Sequence, residues 1–283
     1  MICLTGDIHH MSLRINDQRF IPEAGDTEAA IAGRFLKLVE SRGLKVTFYV
    51  TGMTLEQEWP AIAPIAESPL AEIGGHTYAG LPRPPGARVR SFLTGRRSVS
   101  HSSSHGSPAA QERDVRRMIE VAQRRTGRRI VSWRSHGLVV DRNTYPILAR
   151  NGIRFISDEL AWSKMLPERT AEGLVSHPMN VIMDHDHIYH AHRTPQYVEQ
   201  QKQAGGGYPG DPDRESYSVG EWAGIVRGQV AEIESRGGLA TVLMHPLCMY
   251  LADRFAAAEM LLDMFCRSTS IWASETGRLL EER

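Results

Sequence analysis

The chain has 283 residues, of which 41% are hydrophobic and 23% charged, an ordinary composition for a globular protein. Its 33 basic residues cancel 33 acidic ones, so no net field favours nucleic acid or an anionic membrane surface, and no window supplies the roughly 18 consecutive apolar residues of a membrane span. Cys3, Cys248 and Cys266 are too few and too scattered for a disulfide framework or a thiolate metal knot. We expect them to be reduced and mostly buried. The opening "MICLTGD" has no basic n-region or extended apolar h-region, from which a cytoplasmic location is expected.

Strand-like and helix-like segments alternate along the chain, the pattern of an α/β protein whose parallel sheet or barrel is covered by helices. "ICLTGD" from residue 2 is the first strand; residues 27–43 carry apolar positions at helical spacing, with Asp26 or Thr27 as N-cap and Gly43 as the stop. "KVTFYVTG" is a second strand, residues 55–66 a short helix, and "AEIGGHTY" a third strand ending at His76. Residues 107–127 form a helix with Ser107 as cap, Pro108 in the first position and Gly127 beyond the end. "RIVSWRSHG", a helix over 142–152 and "IRFISDE" follow, and then residues 174–192, read as one or two strands around a turn. An amphipathic helix over 218–238, the buried strand "LATVLMHP" and a closing helix over 255–268 complete the chain. Residues 81–106 and 200–218 are read as long loops, and neither a linker nor a repeat divides residues 1–283. The arginine-rich runs near 88–97 and 124–129 are read as solvated surface rather than a polyanion site.

Several strands end in ionisable residues: Asp7, His9 and His10, then His76, Arg134 and His136, Asp158, and His245. In parallel α/β architectures the carboxyl ends of the strands share one rim, so these residues should converge. Each taken singly is readily a capping acid or a satisfied histidine. Together, an acid and several imidazoles suit a zinc-like ion with one position open to water. Such a site also needs a base, a proton donor and a positive charge that fixes the acid, parts that Asp7, His245 and Arg134 fit.

These residues resemble the polysaccharide deacetylases of carbohydrate esterase family four, which share the NodB homology domain. The motifs run in the family's order from "LTGD" to "LMHP". The resemblance implies a single-domain, distorted (β/α) barrel with about seven parallel strands. It implies Asp7 as catalytic base, His9 in the place of the second acid and His76 as metal ligands, and His245 as general acid. The family's His-Ser/Thr-x-x-His motif is here "HTYAG", so Gly80 stands where a second histidine ligand is expected. "RSHG" keeps Arg134 but puts His136 at an aromatic position. Asp7 itself, His10, His136, Asp184 and Asp186 are the further candidates for the missing ligand. The last two lie in "DHDHIYHAH", where alternation would put Asp184, Asp186, Ile188, His190 and His192 on one strand face; a polar surface edge is the plainer reading of that tract.

Thr77, Tyr78, His136 and Trp133 are the substrate-contact candidates, with packing the alternative for Trp133, Trp162 and Tyr78. His101 and His105 are read as solvent-exposed. The resemblance implies a zinc-dependent hydrolase that removes an acyl group, acetyl foremost, from the amide nitrogen of an amino sugar or saccharide precursor. A cyclic amide or ureide hydrolase of the same fold and a catalytically silent saccharide- or metal-binding relative are the competing readings. The expected partner is a small saccharide or amide, with a homo-oligomer as an open alternative.

Overall fold

A computed structural model describes residues 1–13, 17–80, 107–205, 207–208 and 210–281. The loop expected at 81–106, with His101 and His105, lies outside the described residues. Eight strands form one curled sheet: β1 (Ile2–Ile8), β2 (Val46–Val50), β3 (Ala71–Gly75), β4 (Ser132–Trp133), β5 (Phe155–Ile156), β6 (Glu168–Arg169), β7 (Val175–Ser176) and β8 (Ala240–Leu243). Their order is β6-β7-β5-β4-β3-β2-β1-β8. Every pairing is parallel except β6 with β7, so seven strands run the same way, as the resemblance implied. Strands β1, β2 and β8 are buried throughout, which explains why they read as continuous apolar runs.

Ahead of β8, Leu239 N–H donates to Met165 O at 2.8 Å. The buried Asn180 adds to this link: its Nδ2 donates to Leu239 O at 2.9 Å and to Lys164 O at 2.8 Å, while its Oδ1 accepts from Thr241 N–H at 2.9 Å. One side-chain amide thus satisfies main-chain groups on the β8 side that a closing strand would otherwise pair.

Helices cover the sheet: α1 (Glu28–Glu40), α2 (Gly52–Gln57), α3 (Trp59–Glu67), α4 (Pro108–Thr126), α5 (Thr144–Arg150), α6 (Pro195–Gln203), α7 (Val219–Ser235), α8 (Pro246–Asp253), α9 (Ala256–Phe265) and α10 (Arg278–Glu281). At Thr27 and Ser107 their caps are the ones the sequence announces. Thr27 accepts from Ala30 N–H, Ser107 from Ala110 N–H, and Ser218 forms a capping box with Glu221. Gly127 ends α4 at φ +68°, a left-handed conformation that glycine adopts without a steric penalty. None of the described helices is long and apolar enough to cross a membrane.

Three expectations need correction. The short helix placed at 55–66 is two helices, α2 and α3, broken at Glu58. Residues 184–192 are a turn rather than an alternating strand, because Asp184 O accepts from both His187 N–H and Ile188 N–H. The loop read at 200–218 begins inside α6. Of the cysteines, Cys3 and Cys248 are buried but Cys266 is exposed.

Candidate active site

The strand ends converge as the rim argument requires. Asp7 lies at the end of β1, beside Tyr49 of β2 in register; His76 follows β3, Arg134 follows β4, Asp158 follows β5, His177 follows β7 and His245 caps α8 after β8. Asp7, His9, His76, His136 and His245 line one cavity.

Arg134 is entirely enclosed, and four of its five guanidinium N–H groups have acceptors. It donates to Asp7 Oδ1 at 2.8 Å, Thr5 Oγ1 at 3.0 Å, Ser157 Oγ at 2.8 Å and Ser157 O at 3.1 Å, and it lies 4.5 Å from the Tyr49 ring centroid. Burial acts to raise the Asp7 carboxyl, yet Arg134, His76, His245 and His9 hold it well below the usual carboxylate range. The other oxygen, Oδ2, stands 3.7 Å from His76 Nε2 and 3.7 Å from His245 Nε2. An ionised acid therefore sits between two imidazoles, with one oxygen clamped and one facing the cavity.

His9 and His76 oppose each other with their Nε2 atoms 3.2 Å apart. The remaining nitrogens fix the tautomers. His9 Nδ1 donates to Glu28 Oε1 at 2.9 Å, and His76 Nδ1 donates to Arg134 O at 2.8 Å. Both partners are acceptors only, so each Nε2 is left with a lone pair pointing at the other. Burial, with His9 nearby, pushes the His76 imidazole down to about 3 in spite of Asp7, so His76 does not readily take a proton on Nε2. A cation shared by the two neutral rings would satisfy both lone pairs.

His136 joins them. Its ring centroid is 5.2 Å from that of His9 and 5.1 Å from that of His76, and one nitrogen from each ring falls within 4.8 Å of the other two. The loop that delivers it is held by the buried Asp158, which accepts from Ser135 N–H, and it turns through left-handed Gly137 and Leu138. Burial raises Asp158 to about 6. Three imidazoles beside a carboxylate are a donor set that suits a zinc-like divalent cation.

His245 is the charged counterpart to His76. Its Nδ1 lies 2.7 Å from Asp184 Oδ1, and its main-chain N–H also donates to Asp184. Burial would lower the imidazole, but the charge and hydrogen bond of Asp184, with Asp7 and Glu28 beyond it, raise it to about 9. At neutral pH His245 carries a proton on Nε2 and faces Asp7.

Other candidates are placed elsewhere. His10 turns to Ser12 and Glu58, away from the three imidazoles. Asp184 is committed to His245, and Asp186 to Arg193 at 3.1 Å. Trp133 is a core residue 1% exposed; its ring packs so tightly on β3 that a β-carbon on Gly75 would lie 2.3 Å from it, so it cannot meet a substrate. The Tyr78 hydroxyl donates to Glu56 and accepts from Arg117 at 2.6 Å, with Arg117 stacked 3.6 Å from its ring centroid, so Tyr78 serves the helix surface. Thr77 is buried at φ +62°; its carbonyl accepts from Gly52 N–H at 3.0 Å and its hydroxyl from Gly80 N–H at 3.1 Å. It turns the chain after His76 rather than presenting a hydroxyl to the cavity, which it does not line. Of the four substrate-contact candidates, only His136 does so.

The sequence reading missed Glu28, which holds both the main-chain N–H and Nδ1 of His9, and His177, whose Nε2 lies 3.3 Å from the Tyr49 hydroxyl. Burial and then Arg134 push His177 down to about 3. Glu28 is the first residue of α1, where an acid normally signals only a helix start.

A polysaccharide deacetylase family model matches residues 23–156, a span that holds His76, Arg134 and His136 but not Asp7 or His245. No curated protein matches the chain by sequence. Among solved structures, a Mycobacterium smegmatis protein assigned as a polysaccharide deacetylase is 17% identical and has a TM-score of 0.69, over 99% of this chain and 90% of its own. A Pseudomonas aeruginosa PAO1 protein with the same assignment gives 14% and 0.62 over 100% and 91%. The PuuE allantoinase gives 11% and 0.62 over 99% and 88%. At these identities the likeness is one of fold.

Proposed function

We propose that the chain, whose residues 23–156 match the polysaccharide deacetylase model, is a divergent member of that family and a hydrolase of carbon-nitrogen bonds that removes an acyl group, acetyl foremost, from the amide nitrogen of a small amino sugar or saccharide precursor in a zinc-dependent reaction. One observation carries the cation: two imidazole lone pairs, fixed by their outer hydrogen bonds, meet at 3.2 Å. His9, His76 and His136 would hold it. Bound there, a zinc ion would polarise the acyl oxygen and acidify a water.

The protein's own groups handle the protons. Asp7, kept ionised by Arg134, takes a proton through its cavity-facing Oδ2. His245, kept charged by Asp184, gives one to the departing nitrogen from Nε2. The two stand 3.7 Å apart, so base and acid work on one small region without a relay. Arg134 acts through Asp7 and is a positioning residue, since it is enclosed and does not line the cavity. Apolar walls from Leu138, Met183, Leu243 and Leu247 favour a compact acyl group over an extended polymer chain.

The test is hydrolysis of N-acetylated amino sugars by the purified protein. Chelation should abolish acetate release and zinc should restore it. Replacing His245 by alanine should lower turnover by about 10²–10⁴-fold, the usual worth of a general acid, with zinc content unchanged. A fully active His245→Ala protein would remove the assignment. Activity on a cyclic amide or ureide, retained without metal, would instead favour the allantoinase-like reading.

A further inference from the structure

The tract "DHDHIYHAH" and Cys248 contribute to none of the chemistry above except through Asp184, yet they build a second group of donors beside the same cavity, which His185 and Cys248 line. His185 comes from the turn after Asp184, His190 from the chain just beyond it, and Cys248 from the first turn of α8. One nitrogen from each imidazole and the Cys248 Sγ lie within 4.8 Å of one another. His185 Nδ1 is 3.4 Å from Sγ.

His190 carries the argument. It is buried, and its Nδ1 donates to Ile188 O at 2.9 Å, which leaves Nε2 as a lone-pair acceptor. That atom is buried with no hydrogen-bond partner among the described residues; Asp17 Oδ2 stands 3.6 Å away, within ion-pair reach but beyond hydrogen-bond range. A buried nitrogen left without a partner is destabilising, and a cation would satisfy it. The buried Asp17 adds a negative charge at the edge of the group. Cys248 also lies within 4.8 Å of Asp184 and His245, but those two already satisfy each other.

We propose that His185, His190 and Cys248 form a second cation site, distinct from the one at His9, His76 and His136, that takes a zinc-class divalent ion through two imidazole nitrogens and a thiolate. Binding breaks the Cys248 S–H bond, releases that proton to solvent and forms a sulfur–metal bond. Two nitrogens and one sulfur select zinc, cobalt or copper over magnesium or calcium. The site stands independently of the deacetylase reading and is adjacent to it: the His185 and His245 ring centroids are 5.3 Å apart.

The test is titration of the metal-free, full-length protein with cobalt(II) alone, followed by absorption spectroscopy. A saturable near-ultraviolet band from thiolate-to-cobalt charge transfer is expected. Cys248→Ser and His190→Ala should each lose it and bind one cobalt fewer per chain, whereas Cys266→Ser should keep it. His76→Ala should also keep the band, so a failure of the first site leaves this result readable. Absence of the band at saturating cobalt in folded protein, or its survival in a folded Cys248→Ser or His190→Ala variant, overturns the proposal.

Discussion

The His136 ring stands against position 80: a β-carbon built on Gly80 would lie 3.3 Å from His136 Cε1 and 3.4 Å from His136 Nδ1. The resemblance places a histidine at position 80, and under the proposed function His136 from the loop after β4 would supply that imidazole. His136→Ala should therefore weaken zinc binding at least about tenfold, the lower bound seen for groups that support a metal site. Adding Gly80→His to that variant should not restore it, because residue 80 sits at φ +72°, where a side chain costs about 1–2 kcal/mol. Competition against a chromophoric chelator measures both.

Glu28 fixes His9 through two contacts to one oxygen, at 3.0 Å and 2.9 Å. Glu28→Gln keeps the size but removes the charge that sets the His9 tautomer. Zinc affinity should fall by about 10–100-fold, and turnover at saturating zinc should recover toward the parent value. Equal loss at all zinc concentrations would show that Glu28 does something other than orient His9.

The charge on His245 depends on Asp184. In the metal-free protein His245 should titrate near 9, visible in its imidazole proton resonances, and Asp184→Asn should drop it below the ordinary histidine value because burial then acts unopposed. The sign for stability follows from the raised value. The contribution is complete below the unfolded value of about 6.5 and is lost as pH climbs through about 9. Unfolding midpoints of the parent should therefore fall over that alkaline window, and those of Asp184→Asn should fall less.

Arg134 meets four acceptors with no exposure to water. Arg134→Met fills similar space but strands Asp7 as an unpaired buried charge. A loss of about 3–5 kcal/mol is expected from breaking one side of a buried pair, read from denaturant midpoints. The loss should shrink at acid pH, where Asp7 in the variant accepts a proton and no longer needs a partner.

The parts of this molecule visible in its sequence are those set by local rules. Thr27 and Ser107 announce their helices, and the buried runs of β1, β2 and β8 announce a parallel sheet. The convergence of Asp7, His76, Arg134 and His245 needed only the shared rim of strand ends. What the sequence could not reveal depends on direction over long separations. Trp133 and Arg134 are neighbours in sequence, yet one fills the hydrophobic core while the other clamps Asp7. Glu28 reaches His9 from the start of α1, and Asn180 reaches Leu239 from a stretch with no strand of its own. Alternation failed over 184–192 because Asp184 O folds that stretch into a turn, which sends His185 and His190 to the same place.

The most direct test is anomalous diffraction at the zinc edge from crystals of the full chain grown with zinc. A peak within bonding distance of His9 Nε2, His76 Nε2 and a His136 ring nitrogen is predicted, and it should vanish in His76→Ala. Density free of any cation there, with the two Nε2 atoms turned apart and hydrolysis intact, would contradict the account.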